Sequence, residues 1–255
     1  MSSRFDAEFY SLYRPFYPAE TFAGLEGARA IADIGCGTGH STLSLLRAGI
    51  KAQVVGVDPD PKMLELARVL AGSEFSIEWR LGSGESTGLG AQSQDAVIVG
   101  SAFHWMKPEL AQEEFRRVLK PGGVLRIFEY QFPKAPELPE LNEWIRREFN
   151  LKWKAPDQKP RGNLKELTSV FRNHPEAWSY RGEVQPKMEM QFGFEDLAGL
   201  LLSQSRVLHY EDTLSAHEKE SFHQSLRTQL ESFFKVDRTT FDFKLAIIDF
   251  TRSRT

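Results

Sequence analysis

A glycine-rich turn near the start of the chain limits the possible folds more than any other feature. The run Asp-Ile-Gly-Cys-Gly-Thr-Gly occupies residues 33–39, between the apolar segment at 30–34 and an apolar helical pattern that starts near His40. Glycines at such a turn let the backbone bend tightly and let a ligand approach main-chain atoms that a Cβ would shield. The turn therefore predicts a strand–loop–helix unit with a ligand beside the loop.

Short apolar runs alternate with helical patterns from Ala30 to about Tyr130, as a doubly wound parallel sheet requires. After the first strand, this alternation predicts strands at 53–57, 75–81, 95–100 and 124–129 and helices at 61–71 and 110–119. Beyond Tyr130 the pattern changes, and we predict helices at 141–151, 194–203 and 218–234 and a late strand at 240–250. The predicted class is α/β, a Rossmann-like, mostly parallel sheet with an inserted, mainly helical cap.

The chain length is compatible with one large α/β domain or two small ones, since 255 residues correspond to roughly one to two domains. Because the late strand must rejoin the sheet, we expect a single domain. Its expected parts are an N-terminal lid at 1–29, a ligand-binding core at 30–130, a cap at 131–178 and a sheet-completing part at 179–255.

Composition and charge exclude several functional classes. The net charge is −3, which gives no whole-molecule attraction to nucleic acid or to an anionic membrane. The single cysteine, Cys36, excludes an internal disulfide and a cysteine-based zinc cluster. No apolar run approaches the roughly 18–20 residues of a membrane span, and no signal peptide is visible. We expect a cytoplasmic protein with no membrane partner and no metal.

The acids around the loop indicate which ligand it accepts. Asp58 follows Gly39 by nineteen residues, at the end of the second strand, where an acid can accept hydrogen bonds from both ribose hydroxyls. A dinucleotide fingerprint needs a third glycine at position 40, which is His40. A pyrophosphate would also be repelled by Asp33, whereas a cationic amino-acid end would be attracted. The residues favour a sulfonium nucleoside over a dinucleotide.

These motifs resemble the class I S-adenosylmethionine-dependent methyltransferases. The resemblance extends from the glycine loop to Gly-Ser-Gly-Glu at 82–85, Ser-Ala-Phe-His-Trp at 101–105 and the block at 115–123. Together with the Phe-His-Trp block, Tyr-Arg-Pro-Phe-Tyr-Pro at 13–18 resembles the small-molecule branch that includes trans-aconitate methyltransferases. The family fold implies a seven-stranded sheet. It implies S-adenosylmethionine as the cofactor and S-adenosylhomocysteine as its product.

The resemblance also implies roles for individual residues. Asp33, Gly35, Cys36, Gly37 and Gly39 would hold the methionine end of the cofactor. The remaining cofactor residues would be Asp58 at the ribose, Pro59 and Met63 beside the adenine, Ser83, Gly84 and Glu85 at the adenine edge, and Ser101. Relatives often carry alanine at the position of Gly84, and we expect little consequence from this difference.

Methyl transfer is an in-line displacement that depends mainly on alignment at about 3–3.5 Å. A carboxylate nucleophile needs no base, whereas a hydroxyl usually does. His104 is the candidate catalytic residue, as a general base or a hydrogen-bond donor; the alternative is a structural histidine wedged between Phe103 and Trp105. Phe103 and Trp105 are expected to line the substrate or cofactor pocket.

Two further segments are candidates for substrate contact. Tyr10, Tyr13, Arg14 and Tyr17 form a possible aromatic and basic lid, or else an N-terminal helix packed on the sheet. Residues 146–172 contain eight Lys/Arg against three Asp/Glu, which indicates either a positive field for an anionic substrate or solvated helix faces. Nothing in the sequence indicates an oligomeric state.

The predicted function is methylation of an oxygen, nitrogen or carboxylate nucleophile on a small molecule. A non-catalytic S-adenosylmethionine-binding or interaction module is the alternative from a different class. Nucleic-acid methylation is less favoured because the net charge opposes it and Ser-Ala-Phe-His at 101–104 does not match the Asn/Asp-Pro-Pro-Tyr motif of nucleic-acid amino methyltransferases. A nicotinamide dehydrogenase would require that the mismatch at His40 be tolerated.

Overall fold

The computed structural model of the protein describes residues 11–153 and 163–254. The strands in chain order are β1 (Ala30–Ile34), β2 (Gln53–Asp58), β3 (Ile77–Leu81), β4 (Gln94–Gly100), β5 (Leu119–Tyr130), β6 (Trp178–Val184), β7 (Glu189–Phe192), β8 (Thr239–Asp242) and β9 (Leu245–Arg252). The α-helices are α1 (His40–Arg47), α2 (Pro61–Ala71), α3 (Pro108–Val118), α4 (Pro139–Arg147), α5 (Leu164–Leu167), α6 (Ser169–Arg172), α7 (Phe194–Leu202), α8 (Ser205–Glu211) and α9 (Ala216–Phe233). Short 3₁₀ helices lie at Ala19–Phe22 and Phe103–Trp105, and a π-helical turn lies at Glu148–Lys152.

Seven strands form one sheet in the order β3-β2-β1-β4-β5-β9-β6. The strand pairs from β3 to β5 are parallel, whereas β9 runs antiparallel to both of its neighbours, β5 and β6. This arrangement confirms the predicted doubly wound, seven-stranded, mostly parallel sheet. The strand order reverses between β1 and β4, and ligands of open α/β sheets bind at the carboxyl ends of the strands at such a reversal.

The chain divides into two compact units. We call the one that consists of Pro15–Gln131, Arg161–Pro186 and Leu245–Thr255 the sheet unit. The other, the helical unit, consists of Met1–Arg14, Phe132–Pro160 and Lys187–Lys244. This division differs from the expected cap at 131–178, because the part after Arg161 belongs to the sheet unit and a long later segment belongs to the helical unit.

Apolar side chains explain why this part of the expected cap joins the sheet unit. Phe171 on α6 is fully buried and packs against the rings of Trp178 on β6 and Phe250 on β9, with centroids 5.1 and 4.9 Å apart. The indole N–H of Trp178 donates to Gln112 on α3 at 2.9 Å. Burial of such aromatic surface is strongly favourable, so these residues hold α6 and β6 on the sheet core.

The helical unit contains a small two-stranded antiparallel sheet of β7 and β8 in addition to its helices. The predicted late strand at 240–250 is in fact two strands, β8 and β9, which belong to different sheets. The break lies at Phe243, which is buried and whose N–H donates to the carbonyl of Met188 at 2.8 Å. Apolar residues alternate on both sides of the break, so the sequence pattern does not reveal it.

Helix α2 shows how the local sequence sets an element boundary. Asp60 precedes the helix, and its carboxylate accepts a hydrogen bond from the N–H of Lys62 at 2.9 Å. Pro61 occupies the first turn, where a missing N–H costs no hydrogen bond. Within the described ranges, no helix has both the length and the apolar character needed to cross a membrane.

Candidate active site

The glycine loop follows β1 and leads into α1, as predicted. Gly39 is the residue before the helix and has φ of +87°, a left-handed conformation that glycine adopts at little cost. A Cβ on Gly39 would lie 2.9 Å from the ring of Trp79, which packs against this position from β3. Trp79 was not among the predicted site residues, because in the sequence it is one apolar position of an alternating strand.

The backbone amides of the loop are used inside the protein. Their donor–acceptor pairs are Gly35 N to Val57 O at 2.7 Å, Cys36 N to Val57 O at 3.1 Å, Gly37 N to Asp58 Oδ2 at 2.8 Å and Gly39 N to Cys36 O at 2.9 Å. A phosphate-binding loop needs such amides free to donate to the anion. These four amides are therefore unavailable to a pyrophosphate, in agreement with the argument against a dinucleotide.

Asp33 lies fully buried at the end of β1. Its Oδ2 accepts hydrogen bonds from the hydroxyls of Ser41 and Thr42, both at 2.6 Å. Its Oδ1 is buried and has no hydrogen-bond partner among the described residues. Burial raises the pKa of Asp33 to about 6, although the two hydroxyl donors oppose the shift. A buried carboxylate oxygen without a donor is suited to a cationic amino group, so Asp33 fits the predicted cofactor.

Asp58 lies at the carboxyl end of β2 and is also buried. Its Oδ2 accepts from Gly37 N and its Oδ1 accepts from Asp60 N at 2.9 Å. Burial raises the pKa of Asp58, and the backbone donors Asp60 and Gly37 oppose this effect. Each carboxylate oxygen has a second lone pair, so the acid can anchor the loop and still accept a ribose hydroxyl.

The residues predicted at the adenine side are arranged around the turn after β3. Gly84 is covered by Met106, because a Cβ at Gly84 would overlap the Met106 thioether. The Glu85 carboxylate accepts from the N–H of Lys107 at 2.8 Å. Burial acts to raise the pKa of Glu85, but hydrogen bonds from Lys107 and Ser83 outweigh it and the pKa is lowered. Glu85 thus ties this turn to the start of α3.

The remaining predicted cofactor residues differ in exposure. Pro59 is exposed and Met63 is half-buried, whereas Cys36 is buried and its thiol packs towards β2. Burial raises the pKa of the Cys36 thiol well above its usual value, with Asp33 contributing in the same direction. The Cys36 side chain is therefore a neutral packing group rather than a nucleophile.

Ser101 follows β4 in a strained conformation. Its φ is +51°, which is uncommon for a residue other than glycine, and such strain concentrates at functional sites. Its N–H donates to Phe128 O at 2.8 Å, and its hydroxyl accepts from the Tyr17 hydroxyl at 2.9 Å. Two predicted residues, one from the cofactor set and one from the lid set, are thus brought together.

His104 lies in the 3₁₀ helix after β4, with its side chain only 4% exposed. Its Nδ1 is 3.3 Å from Oε1 of Glu129 on β5, within ion-pair distance, although the alignment is not that of a hydrogen bond. Its Nε2 is buried and has no hydrogen-bond partner among the described residues. Glu129 was missed in the sequence, because it lies far from His104 along the chain.

The prediction for Phe103 as a pocket wall is wrong. Phe103 is 1% exposed and packs in the core against Phe171 and Phe115, with ring centroids 5.5 and 6.3 Å apart. Its large apolar ring turns towards the core because the 3₁₀ helix sends neighbouring side chains in different directions. Trp105, the third residue of the same turn, is 66% exposed.

The predicted lid residues that the structure describes belong to two different units. Tyr13 packs on Gly199 of α7, and the Arg14 guanidinium donates to the carbonyl of Ser203 at 3.1 Å, both within the helical unit. Tyr17 belongs to the sheet unit, and Tyr10 lies outside the described residues.

The described cations of the basic stretch at 146–172 have partners in the structure. Arg146 pairs with Glu143, and both Arg147 and Lys152 pair with Glu148. Lys165 pairs with Glu183, and Arg172 lies over the ring of Tyr180. Lys154, Lys159 and Arg161 fall outside the described residues. The described side chains therefore support the interpretation as solvated helix faces. Residues 11–153 and 163–254 hold no group of three or more potential metal ligands.

Comparison with known proteins identifies the family. The methyltransferase domain family matches residues 32–127. Over 173 residues, 67% of each chain, the protein is 34% identical to an uncharacterized methyltransferase of Mycobacterium tuberculosis. Over 176 residues it is 36% identical to the ubiquinone/menaquinone biosynthesis C-methyltransferase of Syntrophotalea carbinolica, with coverage of 67% of this chain and 70% of the relative.

A solved structure shows the same fold. A candidate type II methyltransferase from Anaeromyxobacter dehalogenans aligns with a TM-score of 0.68 and 22% identity, over 95% of this chain and 98% of that chain. At this identity, the likeness is evidence for the fold alone. The sheet order, the glycine loop and the sequence relatives agree, and the chain belongs to the class I S-adenosylmethionine-dependent methyltransferases.

Proposed function

We propose that the protein transfers the methyl group of S-adenosylmethionine to a nucleophile on a small molecule. The observation that supports this most directly is the pairing of a buried Asp33, whose Oδ1 has no partner among the described residues, with loop amides that are already used inside the protein. Such a site accepts a ligand with a cationic end and disfavours a pyrophosphate. The small-molecule class rests on the resemblance of residues 13–18 and 101–105 to the branch that includes trans-aconitate methyltransferases.

The residues of the sheet unit would divide the work of holding the cofactor. Asp33 would accept from its amino group through Oδ1, and Asp58 would accept from its ribose hydroxyls. Met63, Ser83 and Gly84 would border its adenine. When bound, S-adenosylmethionine supplies an electrophilic methyl group on a positively charged sulfur. The protein then needs mainly to align the acceptor with that methyl and to exclude water.

His104 is the side chain that we propose for contact with the acceptor. It follows the carboxyl end of β4, beside the strained Ser101, where open α/β sheets bind ligands. Tyr17 would assist through its hydrogen bond to Ser101. The relative from Syntrophotalea is named as a C-methyltransferase of ubiquinone/menaquinone biosynthesis, so carbon acceptors belong in the acceptor test beside oxygen, nitrogen and carboxylate groups. We further propose a cytoplasmic location. This location suits a chain whose single cysteine, Cys36, is a buried free thiol.

Two measurements test this function. Titration calorimetry of the purified protein should show binding of S-adenosylmethionine and S-adenosylhomocysteine and no binding of NAD. Incubation with methyl-labelled cofactor and a metabolite extract, followed by mass spectrometry, should reveal a labelled small molecule. Tight NAD binding without cofactor binding would overturn the assignment. Cofactor binding without any labelled product would instead support the non-catalytic binding module.

A further inference from the structure

The pair formed by His104 and Glu129 bears on the chemistry of the acceptor. The imidazole is almost fully buried, its Nδ1 lies 3.3 Å from a Glu129 oxygen, and its buried Nε2 has no hydrogen-bond partner among the described residues. A buried polar atom without a hydrogen-bond partner lowers the stability of the folded protein. A structure that keeps such an atom at a ligand-binding edge indicates that a ligand supplies the missing partner.

A second histidine–glutamate pair in the sheet unit, His174 with Glu176, shows how the His104–Glu129 pair differs from an ordinary surface pair. His174 has its Nδ1 3.1 Å from Oε1 of Glu176, an ion-pair contact of nearly the same length that also has hydrogen-bond geometry. Its side chain is 45% exposed, so water can satisfy both groups. It also lies between α6 and β6, away from the loops that follow β1 and β4. The exposed pair therefore serves as an internal control for the buried one.

The geometry determines which nitrogen can react. A carboxylate facing Nδ1 favours the tautomer that carries its proton on Nδ1, because this proton can then point at Glu129. Nε2 is left with a lone pair and becomes an acceptor of protons. Apo enzymes often hold catalytic hydrogen bonds long or poorly aligned until substrate binds, which agrees with the present alignment. Glu129 is 21% exposed and would stabilise the positive charge when the imidazole takes up a proton.

We propose that Glu129 positions His104 as a general base, and that the acceptor of this enzyme is a hydroxyl group of an alcohol, phenol or enol rather than a carboxylate. This inference rests on the proposed methyltransferase function. A carboxylate acceptor is already ionised at neutral pH and has no proton to transfer, so it would not need a general base. A hydroxyl supplies the donor that Nε2 lacks in the free protein.

The step balances with groups already named. The hydroxyl proton moves to Nε2 of His104, and the freed oxygen lone pair forms the bond to the methyl carbon. The bond from that carbon to sulfur breaks, and its electron pair remains on sulfur, which becomes neutral. The imidazolium, stabilised by Glu129, then returns its proton to solvent. No oxidant, reductant or metal is required.

The first test needs no substrate. Long-range ¹H–¹⁵N spectra of ring-labelled histidine in the free protein should show His104 as the neutral tautomer protonated on Nδ1, assigned by its absence from His104→Gln. Glu129→Gln should change the His104 signals and leave those of His174 unchanged. Glu176→Gln should do the reverse. A His104 that is protonated on Nε2 would overturn the inference whatever the activity data show.

The second test uses labelled cofactor with a panel of phenols and the matching benzoic acids. The wild-type protein should methylate hydroxyl members of the panel, and His104→Gln should lower turnover roughly 10²–10⁴-fold with cofactor affinity unchanged. Glu129→Gln should lower kcat by about 10- to 100-fold, the equivalent of one charged hydrogen bond, with Glu129→Asp recovering part of the loss. The acidic limb of its pH–rate profile should move to lower pH, because the imidazolium loses its counter-charge.

The outcomes separate the two proposals. Transfer to the benzoic acids alone, or wild-type turnover in His104→Gln, would overturn the base role while the methyltransferase function stands. Absence of cofactor binding in calorimetry would instead overturn the proposed function itself. Thermal melts of each variant establish that it is folded, and Glu176→Gln serves as the matched control with wild-type turnover.

Discussion

Two polar groups of the sheet unit and two of the helical unit differ in how they are satisfied. In the sheet unit, Asp33 and His104 each keep a buried atom that no described residue satisfies, and both lie at the carboxyl edge of the sheet. In the helical unit, the Trp144 indole donates to Gln229 at 3.1 Å and His223 pairs with Glu211 at 2.8 Å. Unsatisfied buried groups lower stability, and at this edge a bound ligand would complete them. This difference agrees with our proposal that the ligand binds at the carboxyl edge of the sheet unit.

The strongest test of this comparison is Asp33→Asn. We expect cofactor affinity to fall about 10- to 100-fold, because the ligand's amino group loses a charged hydrogen bond. The free protein should become more stable at pH 7.5, by about 1–3 kcal/mol, because a buried charge is removed while Ser41 and Thr42 keep an acceptor. Calorimetry and denaturant unfolding measure the two effects.

The pH dependence of the stability of Asp33→Asn tests whether the pKa of Asp33 is raised in the folded protein. Burial raises the pKa of Asp33 to about 6 in the folded protein, against about 3.9 in an unfolded chain. Between these values the folded state binds more protons, so Asp33 makes the wild type less stable as the pH rises from about 4 through 6. The stability advantage of Asp33→Asn should therefore be small near pH 4 and full above pH 7. An advantage that does not change with pH would contradict this account.

Asp58→Ala is the next test, and it should weaken cofactor binding by about 1–3 kcal/mol, because the ribose hydroxyls and the Gly37 amide both lose an acceptor. Asp60→Ala is the matched control. Its carboxylate caps α2 through Lys62 and does not touch the loop, so it should cost about 1 kcal/mol of stability and leave cofactor affinity unchanged. Equal affinities for the two variants would show that Asp58 is not the ribose ligand.

The glycine loop allows a comparison between two neighbouring positions. Gly37→Ala places a Cβ in open space and should cost about 1–2 kcal/mol of stability, through the left-handed conformation alone, with φ of +53°. Gly39→Ala combines such a conformation with a Cβ 2.9 Å from Trp79, and should cost about 1–2 kcal/mol more. Denaturant unfolding of both variants measures the difference. Equal costs would mean that Trp79 moves freely.

A substitution in the helical unit should have the smallest effect. Ser215 caps α9 and exchanges hydrogen bonds with Glu218, in which Ser215 N donates to the carboxylate at 2.8 Å. Ser215→Ala should lower the free energy of unfolding by about 1 kcal/mol and leave cofactor affinity unchanged. A marked loss of cofactor affinity in Ser215→Ala would contradict the proposal that the sheet unit alone binds the cofactor.

The sequence was sufficient for features that depend on neighbouring residues. The glycine loop, the acid at position 58 and the positions of the parallel strands along the chain all follow from local patterns. Contacts between distant residues were beyond it, as Glu129 beside His104 and Trp79 against Gly39 show. Strand β6 was not predicted because the middle residues of this strand are exposed, and its sequence therefore lacks the alternation of apolar residues that predicts a strand. The prediction for Phe103 was wrong because a 3₁₀ helix of three residues is too short for its sequence pattern to show which side chains face the core.

The expectation that a change at Gly84 has little consequence concerns a third contact between distant residues, Gly84 with Met106. Met106 covers this glycine, so the tolerance of the site for a larger residue depends on how far one thioether can move. Since methionine is flexible, the cost of Gly84→Ala is set by the surroundings of Met106 rather than by the backbone of the turn.

The position of β9 in the sheet has a consequence for synthesis. β9 pairs with β5 on one side and β6 on the other, yet it is made long after both of them. While the ribosome produces the intervening helical segment, the edge of β5 has no partner from its own sheet, and β6 has no strand to join. An open strand edge is a template for pairing with other chains. The outer edge of β5 therefore stays open to pairing with other chains until β9 emerges and joins the two parts of the sheet.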